Sequence, residues 1–137
     1  MDATDPVAAA LGAAEFAARP AERYLLAHAA ALRIAAEALS GRPRARGVLR
    51  TIDGSPRNVW SALPLVVPEL GEWAAYFAAL EDKRRVVAAG AVALVTEREA
   101  DDLVRDARAF ADAAALGRRR REPVGAPEAP RRGSAAS

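Results

Sequence analysis

The chain has 137 residues, no cysteine, one histidine and a net charge of +2, which excludes a disulfide framework, any thiolate metal site and a multi-histidine zinc or iron site within one copy. Every apolar run is broken by charge well before the roughly 18 residues a membrane span needs, and the acidic start Met1-Asp2-Ala3-Thr4-Asp5-Pro6 lacks the basic lead of an export signal. Alanine, leucine and arginine dominate while β-branched and aromatic residues are sparse, so the expectation is an all-α, cytoplasmic, single-domain chain without a membrane segment or a cofactor.

Asp5-Pro6 has the form of an N-cap followed by proline at the first helical position, and Val7 to Ala18 continues as an alanine-rich helix that Pro20 ends. A second helix is predicted from about Ala21 to Leu39. Leu25, His28, Leu32, Ala35 and Leu39 recur at alternating three and four spacing along it as a core-facing stripe. Gly41 to Arg57 shows glycine, proline and arginine without helical period and reads as an exposed basic connector with a turn at Asp53-Gly54. Asn58 is expected to cap a short helix carrying Val59, Trp60 and Leu63, which Pro64 kinks or ends.

Pro68-Glu69 starts the next helix, with Leu70, Trp73, Ala74, Phe77 and Leu80 on its buried side. Glu81-Asp82 marks a bend or a charged continuation, and Gly90 a terminator. Thr96-Glu97-Arg98-Glu99 fits a capping box. The final helix then runs to about Leu116 with Ala100, Leu103, Ala107, Phe110 and Ala114 as its stripe, and stops at Gly117. The sum is a compact antiparallel bundle of four main helices plus a short one, over residues 6–117, followed by an Arg/Pro/Ala-rich tail, 118–137, expected to be disordered. With alanine at so many facing positions, the large anchors are Tyr24, Trp60, Trp73, Tyr76, Phe77 and Phe110.

Charge is unevenly spread along the chain. The connector 41–57 carries five arginines against Asp53, net +4, and the tail 118–137 six arginines against Glu122 and Glu128, net +4, which leaves −6 for the rest. Such a layout places basic arms on an acidic body, where Arg42, Arg44, Arg46, Arg118, Arg119, Arg120 and Arg121 are the candidates for contact with RNA phosphates or with the body's own acidic face. Glu99, Asp102 and Asp106 recur on one side of the last helix. Paired acids of this kind hold hard cations, but no complementary acidic motif is apparent elsewhere, and a salt-bridged face is the expected outcome. The Gly41 to Gly54 stretch lacks phosphate-loop spacing, and nothing suggests a serine nucleophile.

The segments Ala21-Glu22-Arg23-Tyr24-Leu25-Leu26-Ala27-His28, Pro68 to Phe77 and Arg98 to Ala107, in this order, resemble a small actinobacterial family of HEPN-domain proteins over about Val7 to Leu116. The resemblance implies a short helical bundle, commonly a homodimer, found in toxin and defence systems with protein partners such as antitoxins. It also implies metal-independent cleavage of RNA by an Arg-x(4 to 6)-His pair. Arg23 and His28 are the match, with four residues between, although active members usually carry the pair near the start of a late helix. Histidine and arginine suit such a reaction, one assisting the attacking 2′-hydroxyl and the other stabilising charge on the phosphate. Five helical positions turn by about 500°, so the two side chains diverge by roughly 140° on one straight helix, and a shared cleft would need a second protomer. Against a ribonuclease stands the stripe position of His28, which suits a neutral core imidazole. The competing expectation is therefore a non-catalytic helical interaction module.

Overall fold

The computed structural model describes residues 5–40, 42–50 and 56–121. Among them there is no strand, and seven α-helices follow one another: α1 (Pro6–Phe16), α2 (Pro20–Leu39), α3 (Pro43–Arg50), α4 (Pro56–Val66), α5 (Gly71–Ala79), α6 (Glu81–Ala88) and α7 (Glu97–Arg121). Short 3-10 turns at Pro68–Leu70 and Val92–Leu94 lead into α5 and towards α7. The all-α bundle expected from the sequence is the observed architecture.

Local chemistry sets most of the boundaries. The Asp5 carboxylate accepts from the N–H groups of Val7 and Ala8 at 3.0 and 3.3 Å, satisfying donors that α1 leaves without partners, and Pro6 occupies the first helical position. Pro20 starts α2 in the same way. Gly90 follows α6 with φ +124°, a conformation that costs a side-chain-bearing residue dearly. The capping box of α7 is reciprocal, with Glu99 N–H donating to Thr96 Oγ1 at 3.0 Å and Thr96 N–H to Glu99 Oε1 at 3.3 Å.

Three readings of the sequence are corrected. The connector is not loop throughout, because α3 lies inside it: Pro43 opens the helix, Ala45 is buried and Val48 packs against the core. Ala45, Val48 and Leu49 in an arginine-rich background are too few to register as a period. Pro64 does not end α4, which runs on to Val66. The missing N–H falls in the last turn, where Leu63, Val66 and Val67 are all buried. Finally, α7 passes through Gly117 to Arg121. Gly117 is buried beside the Glu69 side chain with the helix continuing through it, so this glycine is not a stop. The Asp53-Gly54 turn and the tail from 122 onward lie outside the described residues.

Helices α2 and α7 form the centre and make the most extensive pairing. They run parallel, since Arg23 at the start of α2 bonds Asp101 near the start of α7, while Ala38 and Ser40 at one end share a recess with Ala114 and Gly117 at the other. α1 returns antiparallel on one side, with Leu11 packed on Ala30 and Ala107. α5 and α6 return on the other, taking Glu69 past Gly117, Tyr76 past Asp106 and Lys83 past Glu99. The return of α5 and α6 between them leaves the central α2 and α7 parallel. Being central, α2 buries two faces, with Ala27, Ala30, Ala31, Ile34 and Ala38 added to the expected stripe. Trp60, Phe77 and Phe110 are packed at ring separations of 5.2 to 6.1 Å, and Trp73 closes on Phe110 at 5.5 Å. Of the expected anchors, Trp73 is half-buried and Tyr76 is exposed.

Candidate functional site

The candidate pair lies on α2, and its members face different surroundings. The Arg23 side chain is 12% exposed and makes a clip. Its Nε donates to the Ala17 carbonyl at 3.1 Å and Nη2 to the Ala18 carbonyl at 3.2 Å, closing the α1–α2 turn. Nη1 donates to Glu97 Oε1 at 3.0 Å and Asp101 Oδ1 at 2.9 Å, tying that turn to the first turns of α7. The hydrogen bond to Glu97, with the Asp101 charge beside it, raises the guanidinium's pKa above its ordinary value. Donors on all three nitrogens are committed to acceptors supplied by the fold.

His28 is 1% exposed. Its Nε2 lies 3.2 Å from the Phe77 carbonyl oxygen, and because a carbonyl only accepts, Nε2 carries the proton. The local reason is the break between α5 and α6: at Leu80 the backbone leaves ideal helix, so the last carbonyls of α5 need outside partners. The Phe77 carbonyl receives the Leu80 N–H at 3.1 Å and the imidazole as well. Edges of Trp60 and Phe77 pack around the ring at 6.1 Å. Burial lowers the His28 pKa, the Phe77 carbonyl and then Glu81 offset part of that, and the Arg84 charge adds a last lowering contribution.

Glu81 completes this buried knot. Its Oε2 accepts from the Trp60 indole at 3.3 Å and lies 3.7 Å from His28 Nε2, while Oε1 accepts from Arg84 Nε at 3.0 Å. Sequence reasoning missed Glu81 as a core residue. It opens the run Glu81-Asp82-Lys83-Arg84-Arg85, in which nothing distinguishes the acid that turns inward from the exposed Asp82 next to it.

A second cluster lies along the seam between α5–α6 and α7. Tyr76 Oη donates to Asp106 Oδ2, Lys83 pairs with Glu99, and Arg105 pairs with Asp102. Desolvation and then the bond to Asp106 push the Tyr76 pKa far up, and the Lys83 bond pulls the Glu99 carboxyl below its ordinary value. Tyr24 lies beneath, 2% exposed, with the Lys83 ammonium 5.9 Å from its ring centre and no hydrogen-bond partner for its hydroxyl. Among the described residues, no group of three or more acids, histidines or cysteines is arranged to hold a metal ion. No helix there is long and apolar enough to cross a membrane.

The arginine candidates gather at the opposite end from Arg23. Arg42, entering α3, and Gly117, in the last turns of α7, line one recess of about 210 Å³ with Glu37, Ser40, Val67 and Leu70. Arg44 and Arg46 follow on exposed positions of α3, and Arg118, Arg119, Arg120 and Arg121 continue α7 directly beyond the recess.

A family model for SAV_6107-like HEPN domains matches residues 14–122, from the end of α1 through the whole of α7. The chain belongs to the SAV_6107-like HEPN family. No curated protein and no solved structure matches it. In this HEPN domain the matched region contains the Arg23 clip, the His28 knot, the α5–α7 seam and the arginine end.

Proposed function

We propose that this HEPN domain binds RNA through its arginine-bearing end and does not cleave through Arg23 and His28. The observation that carries the reading is the shared recess: Arg42, which leads into α3, and Gly117, near the end of α7, line it together although 75 positions apart, so that both basic stretches start from one place. Phosphate binding draws on clustered arginines and needs no preformed pocket. The parallel α2 and α7 also end there, and cations near helix C-termini are favoured, so arginines are tolerated at this density. The non-cleaving half of the reading is supported by chemistry. A general base must reach the 2′-hydroxyl, and a buried imidazole that caps α5 is committed elsewhere.

The test is RNA binding followed by fluorescence anisotropy across a salt series. Affinity is expected to fall with salt. Replacing Arg118 to Arg121 by alanine should weaken binding and flatten the logarithmic salt slope by about 0.7 for each phosphate no longer neutralised. A parallel cleavage assay in chelator should show no RNA processing that depends on His28 or Arg23. Salt-independent binding, or cleavage abolished by His28→Ala and Arg23→Ala in folded protein, overturns the reading.

A further inference from the structure

The α5–α7 seam starts where the recess ends, with Glu69 against Gly117, and runs past Glu72, Tyr76 and Asp106 to Asp102 and Glu99. Glu72 stands four positions before Tyr76 and shares its side of α5. Among the described residues, the acids Glu69, Glu72, Glu99, Asp102 and Asp106 line this row, and Lys83 and Arg105 are held by Glu99 and Asp102. Its floor holds an unusual group. The Tyr24 hydroxyl is buried without a partner, a condition that costs free energy until a hydrogen-bonding group arrives. The Lys83 ammonium stands 5.9 Å from the Tyr24 ring centre and pairs with Glu99, which sets this ring beneath the Glu99 end of the acidic row. Lys83, about one-third exposed, covers it. A guanidinium suits such a place, with donors for carboxylates and phenol and a flat face for Tyr76.

The chain itself supplies one within reach. Beyond Arg121 it continues with residues 122–137, which include the adjacent pair Arg131-Arg132. Ten extended residues span up to roughly 33 Å. The return along α7 from Arg121 to Asp106 is only about 22 Å at the helical rise, and to Asp102 about 28 Å. We infer that the acidic seam between α5 and α7 receives Arg131 and Arg132 of the chain's own C-terminal segment, withholding them from nucleic acid. The withholding rests on the RNA-binding reading above; the docking does not.

Because the chain has no cysteine, Ser134→Cys gives a unique position for a nitroxide. In the full-length protein at low salt, the backbone amides of Glu72, Tyr76, Asp102 and Asp106 should broaden relative to the reduced label. The broadening should vanish at about 0.5 M salt, where charges more than roughly 5 Å apart are screened, and in the combined variant Glu72→Gln, Asp102→Asn, Asp106→Asn. The Asp106→Asn change keeps a side-chain oxygen for Tyr76, and the salt arm uses the unaltered seam should the variant unfold. In RNA binding, neutralising the seam should raise affinity about fivefold, near the upper value of one exposed ion pair, and distinctly less once Arg131 and Arg132 are replaced by alanine. Seam amides that stay sharp, or broadening indifferent to salt and to the substitutions, overturn the docking. Salt-sensitive broadening in a protein that binds no RNA upholds the docking while the RNA reading fails.

Discussion

The two ends of the central α2–α7 pair use arginine in opposite ways. At the starting end, Arg23 meets acceptors that the fold has already placed: two carbonyls from the α1–α2 turn and two carboxylates from α7. Those acids stand at a helix N-terminus, where negative charge is favoured, and the guanidinium joins three elements. At the finishing end, Arg42 lines a recess to which α7 and the lead-in to α3 each contribute, and the run Arg118–Arg121 continues α7 beyond it. The same residue type is a structural fastener where two carbonyls and two carboxylates converge on Arg23, and carries the proposed RNA contacts where the two basic stretches start from one recess. Sequence spacing alone does not tell these apart.

The comparison breaks most severely if the shared middle is removed. Phe110 is fully buried between Trp60, Trp73 and Phe77, and Phe110→Ala should cost about 3–5 kcal/mol, read as a lower midpoint in denaturant, with both ends loosening together. His28→Ala should come next at about 2–5 kcal/mol, by opening a cavity and stripping a cap from the α5 carbonyls. It also carries a pH signature. Burial keeps the folded-state pKa below the ordinary 6.5, so the unfolded chain takes up the proton first. Stability should therefore decline as pH falls below about 6.5, and this part of the slope should be absent in His28→Ala. The smallest effect sharpens the contrast between the ends. Thr96→Ala removes one side of the α7 capping box for about 1 kcal/mol. Amide exchange should quicken in the first turn of α7 and stay unchanged near Ala114.

Much of the fold was legible because helix signals here are local. The Asp5-Pro6 start, the Thr96 box and the Gly90 stop each act within a few residues, and the stripe from Ala100 to Ala114 is buried throughout. What escaped depends on partners distant in sequence. The helix α3 buries Ala45 and packs Val48 on a core made by other elements, Glu81 turns inward where the Trp60 indole meets it, and Gly117 stays helical with Glu69 beside it. The candidate pair illustrates the same limit. Spacing set Arg23 and His28 on diverging sides of α2, but only the fold reveals that one closes a turn and the other caps a helix.

The parallel central pair also bears on how the chain is made. Arg23 and Asp101 are 78 positions apart, and contacts of such separation form late, since a long loop must close before they contribute. The α1–α2 hairpin is local and can form early, yet α2 then awaits cover for a face that only α7 supplies. A nascent chain that has not released α7 from the ribosome therefore presents an alanine- and leucine-rich helix with one side bare. Because α7 completes the core, truncation before it should yield aggregation and not a smaller domain.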